Sequence, residues 1–211
     1  MIVRKMPEML PLALNMATID RVTLRPGAEF TEEDFFAFCQ EHSLMQIERN
    51  SVGDVIIMGP AALESDFIVV EIVAQLRAWA RKDGQGIVLG PTAGITLPDK
   101  TLCSPDTCWI PIGRWKALSR KQRQSFGAVV PSFIIEVRMP NDRKKELQER
   151  MQGYLRNRVE LGWLVDPQAR TVSIYSFDRP TVSELIQPER VFGEGPVAGF
   201  VLELKQIYDQ L

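Results

Sequence analysis

The chain has 211 residues, 45% hydrophobic and 25% charged, ordinary proportions for a globular chain that can bury one core. A formal net charge of −2 excludes a surface that is basic throughout, so any nucleic acid must meet a local patch. No apolar run reaches the ~20 residues of a membrane-spanning helix.

Residues 1–29 are expected to form an irregular N-terminal arm ahead of a single domain over 30–211. Arg4 and Lys5 precede an apolar stretch from Met9 to Leu14, but Glu8 and Pro11 interrupt it and no secretion leader is expected. Thr31 can cap a helix whose first turn holds Glu32, Glu33 and Asp34, acids that suit the helix dipole. Residues 45–49 and 55–58 pattern as a hairpin, with Gly53 supplying a positive-φ turn position. Ile68, Ile72, Leu76 and Trp79 recur at helical spacing and predict a helix over 64–82, ended by Gly84 and Gly86. Short strands follow at 87–89 and 94–97, and another begins near Asp106. Arg114 to Gln124 is basic and partly helical, with charges that suit a solvated face or, in the alternative, contact with phosphates. Phe133-Ile134-Ile135-Glu136-Val137 is an apolar run of the kind found where both faces of a sheet are covered. A charged helix over 142–160 turns Leu147, Met151, Tyr154 and Leu155 inward. Its first turn carries Arg143, Lys144 and Lys145 against the helix dipole, which favours an anion nearby. Leu161 to Val165 is a buried strand with a hairpin partner at 172–175, and the tail holds one or two short strands and a helix near 204–210. The whole is an α/β chain with a mixed sheet (α+β).

Two acids carry the strongest chemical signal. Asp106 follows Pro105 at a strand entry, and Glu136 sits inside an apolar strand. A carboxylate buried there is costly unless partnered, and two brought together repel. A divalent cation resolves both problems, Mg²⁺ being held by one or two carboxylates plus waters. The alternative is structural, with Asp106 capping a turn and Glu136 salt-bridged to an arginine. Cys39, Cys103 and Cys108 form no C-x-x-C pair, and the one histidine, His42, is distant. Neither a disulfide framework nor a zinc site is expected, and the thiols suit a reduced, cytoplasmic protein. Trp79, Trp109, Trp115 and Trp163 are expected in the core or at an interface.

Ser104-Pro105-Asp106, then Ile135-Glu136-Val137-Arg138, then Tyr154, then Gly162-Trp163-Leu164-Val165-Asp166-Pro167 together resemble the Uma-type restriction-endonuclease-like family of the PD-(D/E)xK nuclease superfamily. The resemblance covers about residues 30–211. It implies a restriction-endonuclease-like core with flanking helices and a metal-dependent DNA endonuclease using Mg²⁺ or Mn²⁺. It also implies metal ligands at Asp106, Glu136 and the carbonyl of Val137, with Glu48 as an accessory acid. DNA is the implied partner and a homodimer the implied assembly, with no membrane and no small-molecule cofactor. The alternative reading of Glu48 is a cross-strand pair with a base. The superfamily's lysine is missing: both positions where the resemblance places it, Arg138 and Arg150, hold arginine. Arginine stays protonated, so it can stabilise charge on a phosphate but cannot act as a general base. A structural role for Arg150 would be an i,i+4 pair with Glu146. Further departures are the acids in Ala61-Ala62-Leu63-Glu64-Ser65-Asp66 and the bulky Met139-Pro140-Asn141 after the acidic strand. They support a second reading, a catalytically degenerate scaffold that binds nucleic acid or protein.

Overall fold

Short apolar runs build two six-stranded sheets, accompanied by two long helices, in the computed structural model, which describes residues 21–26 and 31–211. Most of the expected arm lies outside the described residues. Its end, β1 (Arg21–Leu24), is a strand paired antiparallel with a later one.

Thr31 caps α1 (Glu32–Glu41) by accepting the Asp34 N–H at 3.1 Å, as the sequence predicts. The expected hairpin is β2 (Gln46–Arg49) and β3 (Val55–Met58), with Gly53 at φ 88° in its turn. The helix predicted over 64–82 is α2 (Leu63–Asp83), closed by Gly84 at φ 72°, a left-handed cap that a Cβ would strain. Then come β4 (Gly86–Leu89), β5 (Ile95–Thr96), β6 (Leu102–Cys103) and β7 (Thr107–Pro111). The basic stretch splits into α3 (Ile112–Ala117) and α4 (Arg120–Arg123), the second opened by a capping box from Ser119 and Gln122. After β8 (Gly127–Ala128) the apolar run forms β9 (Phe133–Val137).

The helix predicted over 142–160 is shorter, α5 (Lys144–Arg156). Asn157 turns its amide onto Asp99 at 2.9 Å and Arg158 takes φ 70°, so the helical ladder stops there. In the basic first turn Arg143 meets Glu146, Lys144 meets Glu184 and Lys145 meets Glu149. β10 (Leu161–Asp166) and β11 (Thr171–Ser176) form the expected hairpin. The tail holds three strands, not one or two: β12 (Arg179–Ile186), β13 (Arg190–Phe192) and β14 (Val201–Glu203), followed by α6 (Lys205–Tyr208). β12 escapes a hydrophobicity pattern because it is an edge strand, exposed along nearly its whole length.

The first sheet has the order β1-β3-β2-β6-β5-β8 and the second β12-β11-β10-β9-β7-β4. In the second sheet only β9 and β10 run parallel. Alternation along β9 divides the core. Phe133, Ile135 and Val137 pack with Ile68, Ile72 and Leu76 of α2, whereas Ile134 packs with Met151 and Tyr154 of α5. Glu136 shares the parity of Ile134 and so meets α5. Trp109 and Trp163 lie in the core, with Trp79 packed against it.

β4 approaches β7 closely at Gly86, where a Cβ would fall 2.2 Å from the Trp109 indole. Gly86→Ala is expected to cost about 1–3 kcal/mol, as overpacking does. Urea unfolding checks this; an unchanged midpoint would contradict the close approach.

Candidate active site

The site forms where the two sheets meet. β6 of the first sheet runs through Ser104-Pro105-Asp106 into β7 of the second. β7 and β9 pair antiparallel with Thr107 opposite Ile135, so the next position in register sets Asp106 beside Glu136. Asp106 Oδ2 accepts the N–H of Val137 at 2.7 Å. Glu136, 5% exposed, is met by two residues one helical turn apart on α5: Tyr154 donates its hydroxyl to Oε1 at 2.6 Å and Arg150 donates Nε at 2.8 Å. Arg150 also donates Nε to the Tyr154 oxygen at 2.9 Å. Its terminal nitrogens grip both oxygens of Glu48 at 2.6 and 2.7 Å, a two-pronged pair that suits the planar guanidinium. Glu48, 2% exposed, belongs to β2 and accepts the Ser104 N–H at 2.8 Å as well.

Four of the expected site residues, Glu48, Asp106, Glu136 and Arg150, thus come together. The carboxylate of Asp106 takes the N–H of Val137, the fifth. Arg138 stands apart: it donates to Asp166 at 2.7 Å and reaches the carbonyl of Asp142, tying the ends of β9 and β10. The alternative pair of Arg150 with Glu146 is not formed; Glu146 meets Arg21 and Arg143, while Arg150 turns inward. Glu48 does pair with a base, but one from a helix rather than across a strand. Glu136 is salt-bridged to an arginine, and Asp106 holds a backbone N–H of the neighbouring strand rather than of its own turn. In the basic stretch, Arg114 is fixed by Val130, Ser132 and Glu160 and Lys121 meets Glu33. Tyr154 and the Ser104 N–H were not singled out as functional. The spacing Arg150 to Tyr154, four residues on one helix face, is the signal that pairs them.

Charge in this cluster is unbalanced. Burial, then the neighbouring charge of Glu136, pushes the half-buried Asp106 carboxyl up to about 8, against the Val137 N–H and Arg150. Burial also raises Glu136, although Arg150 and the Tyr154 hydroxyl pull it down. For Arg150 burial favours loss of charge, but Glu136 and Glu48 outweigh it and hold the guanidinium charged. Burial likewise keeps the Tyr154 phenol protonated. An acid with a raised pKa binds more protons folded than unfolded between pH of about 4 and about 8. Its stabilising contribution is therefore complete at low pH and lost as pH rises through that window. Asp106→Asn is expected to flatten this decline and to raise the melting temperature at pH 8.5 more than at pH 5. Each kcal/mol recovered is worth about 2–4 °C in a chain of this size. Equal shifts at both pH values would contradict it.

Among the described residues, Asp106 Oδ1 and Glu136 Oε2 accept no hydrogen bond. Neither oxygen is completely enclosed. Two adjacent carboxylates with a free oxygen each fit a hard, oxygen-seeking divalent cation that keeps several waters. Glu48 does not fit as a further ligand while Arg150 holds both its oxygens. No group of three or more His, Cys, Asp or Glu side chains among the described residues is placed to hold a metal.

A mixed sheet with acids on adjacent strands, helices on both faces and a cationic helix residue beside the acids defines an α/β protein of the restriction-endonuclease-like class. The chain matches the family described as "Uma2: Putative restriction endonuclease" over residues 32–204, and it belongs to that family. Among solved structures it is similar to a "putative nuclease belonging to DUF820" from Anabaena variabilis ATCC 29413. The TM-score is 0.62 at 16% identity, over 77% of this chain and 89% of that one, a likeness of fold. No curated protein matches. No helix among the described residues is long and apolar enough to cross a membrane.

Proposed function

We propose that the protein is a metal-dependent DNA endonuclease that hydrolyses phosphodiester bonds. One observation carries this reading: Asp106 and Glu136 lie side by side on adjacent strands, each with an oxygen that accepts no hydrogen bond among the described residues. Mg²⁺ or Mn²⁺ held there would supply an activated water and positive charge toward the phosphate. The chain's own residues set up the rest. Tyr154 and Arg150 fix Glu136 through one oxygen and leave the other free. Arg150 is one quarter exposed, and one N–H on each terminal nitrogen has no partner among the described residues, so an arriving phosphate oxygen meets a fixed donor. The family description, "Putative restriction endonuclease", and the fold shared with the "putative nuclease" from Anabaena variabilis support the same direction.

The test is incubation of supercoiled plasmid with the protein in Mg²⁺ or Mn²⁺, and in chelator. Nicked or linear DNA that needs the metal is the expected result. The second reading, a degenerate scaffold, is favoured by the grip of Arg150 on Glu48. Arg150→Lys separates the two. If arginine is the working residue, the substitution lowers cleavage; if the natural protein is inert, lysine creates activity.

A further inference from the structure

We propose that the Arg150 guanidinium permanently takes the place of a second cation, so that the site accepts one divalent ion and not two. The inference rests on the reading of Asp106 and Glu136 as metal-holding carboxylates. Three acids meet at the seam between the sheets. Two of them, Glu48 and Glu136, are bridged by Arg150 at 2.6–2.8 Å. A fixed positive charge therefore already stands between these two acids, which a second metal ion would otherwise need as ligands. Glu48 has no oxygen to offer, since both contact Arg150 and one also takes the Ser104 N–H.

The charge count agrees. With all three carboxyls ionised, as holding a metal would require, three carboxylates less one guanidinium leave −2, the charge one divalent ion neutralises. The excess falls on Asp106 and Glu136, the pair with the free oxygens. Arginine cannot empty its position by losing a proton, as a buried lysine can. The grip is also braced from below, because the guanidinium carbon lies 5.7 Å from the Tyr154 ring centre. The bridge is therefore fixed rather than titratable, and Glu48 serves the arginine instead of a metal.

Bound Mn²⁺ is counted by equilibrium dialysis at pH 8 and low temperature, with near-ultraviolet circular dichroism to confirm folding. One ion is expected in the natural protein. Two are expected in Arg150→Gln and in Arg150→Met, which remove the guanidinium charge and free Glu48. The count should return to one in Arg150→Gln combined with Glu48→Gln. Two ions in the natural protein would overturn the inference alone, as would a single ion in both folded charge-removing variants. No ion in the natural protein, even with DNA added to complete the site, would overturn the endonuclease reading as well. The count on the natural protein needs no variant, and the two charge-removing variants differ in polarity, so misfolding of one leaves the other.

Discussion

Asp106→Ala is expected to lower metal-dependent DNA cleavage by more than about a hundredfold while the protein stays folded. Loss of an outer partner of a metal ligand already costs about 10–100-fold in affinity or activity, and Asp106 is placed as a ligand itself. The fold should survive because Asp106 contributes little to stability at neutral pH. Its carboxyl is held against burial and the charge of Glu136, and its one hydrogen bond is to the Val137 N–H at 2.7 Å. Removing it leaves that N–H beside a solvent-accessible space that water can fill. Cleavage rates on supercoiled plasmid, alongside circular dichroism, check the result. Retained cleavage in the folded variant would remove Asp106 from the active site.

Arg150→Gln is expected to cost about 3–5 kcal/mol of stability, the largest loss of any single substitution at the site. The reason is not the value of the ion pairs themselves, since replacing a whole buried pair by apolar groups is often neutral. It is the charge left behind: breaking one side leaves an uncompensated carboxylate in a poor solvent. Here one residue compensates two acids, Glu48 and Glu136, both almost wholly buried. Arg150→Met combined with Glu48→Leu should recover most of the loss, because the residual Glu136 keeps the Tyr154 hydroxyl. Urea unfolding of the single and double variants measures both. A loss under about 1 kcal/mol for Arg150→Gln, the scale of an exposed pair, would contradict the buried bridge.

How much of this was legible in the sequence depends on the distance over which each residue acts. Glu136 betrays itself because an acid interrupts an apolar run, and Asp106 because it follows proline at a strand entry. Their adjacency follows from neighbouring strands of one sheet. Glu48 gives no such signal. It lies on a strand of the other sheet and reaches Arg150 across 102 residues, so only the resemblance marked it out. The strands that join the sheets were equally silent: β6 and β8 are two residues each, too short to show a period. Arg138 illustrates the opposite case. A position two after Glu136 shares its face only while the strand continues, but β9 ends at Val137 and Arg138 swings to Asp166. Arg150 could not be placed inside or outside from its own helix, because Glu146 offered an equally good partner at the same spacing. The choice is made by two buried carboxylates on other elements, which a local pattern does not contain.

The most direct measurement is titration calorimetry of Mn²⁺ into the natural protein and into Asp106→Ala. The account requires binding in the first and its loss in the second, which would establish the two carboxylates as a metal site. Equal binding in both would place the metal elsewhere, and no binding in either, even with DNA added to complete the site, would contradict the endonuclease reading and leave the chain a nuclease-like scaffold.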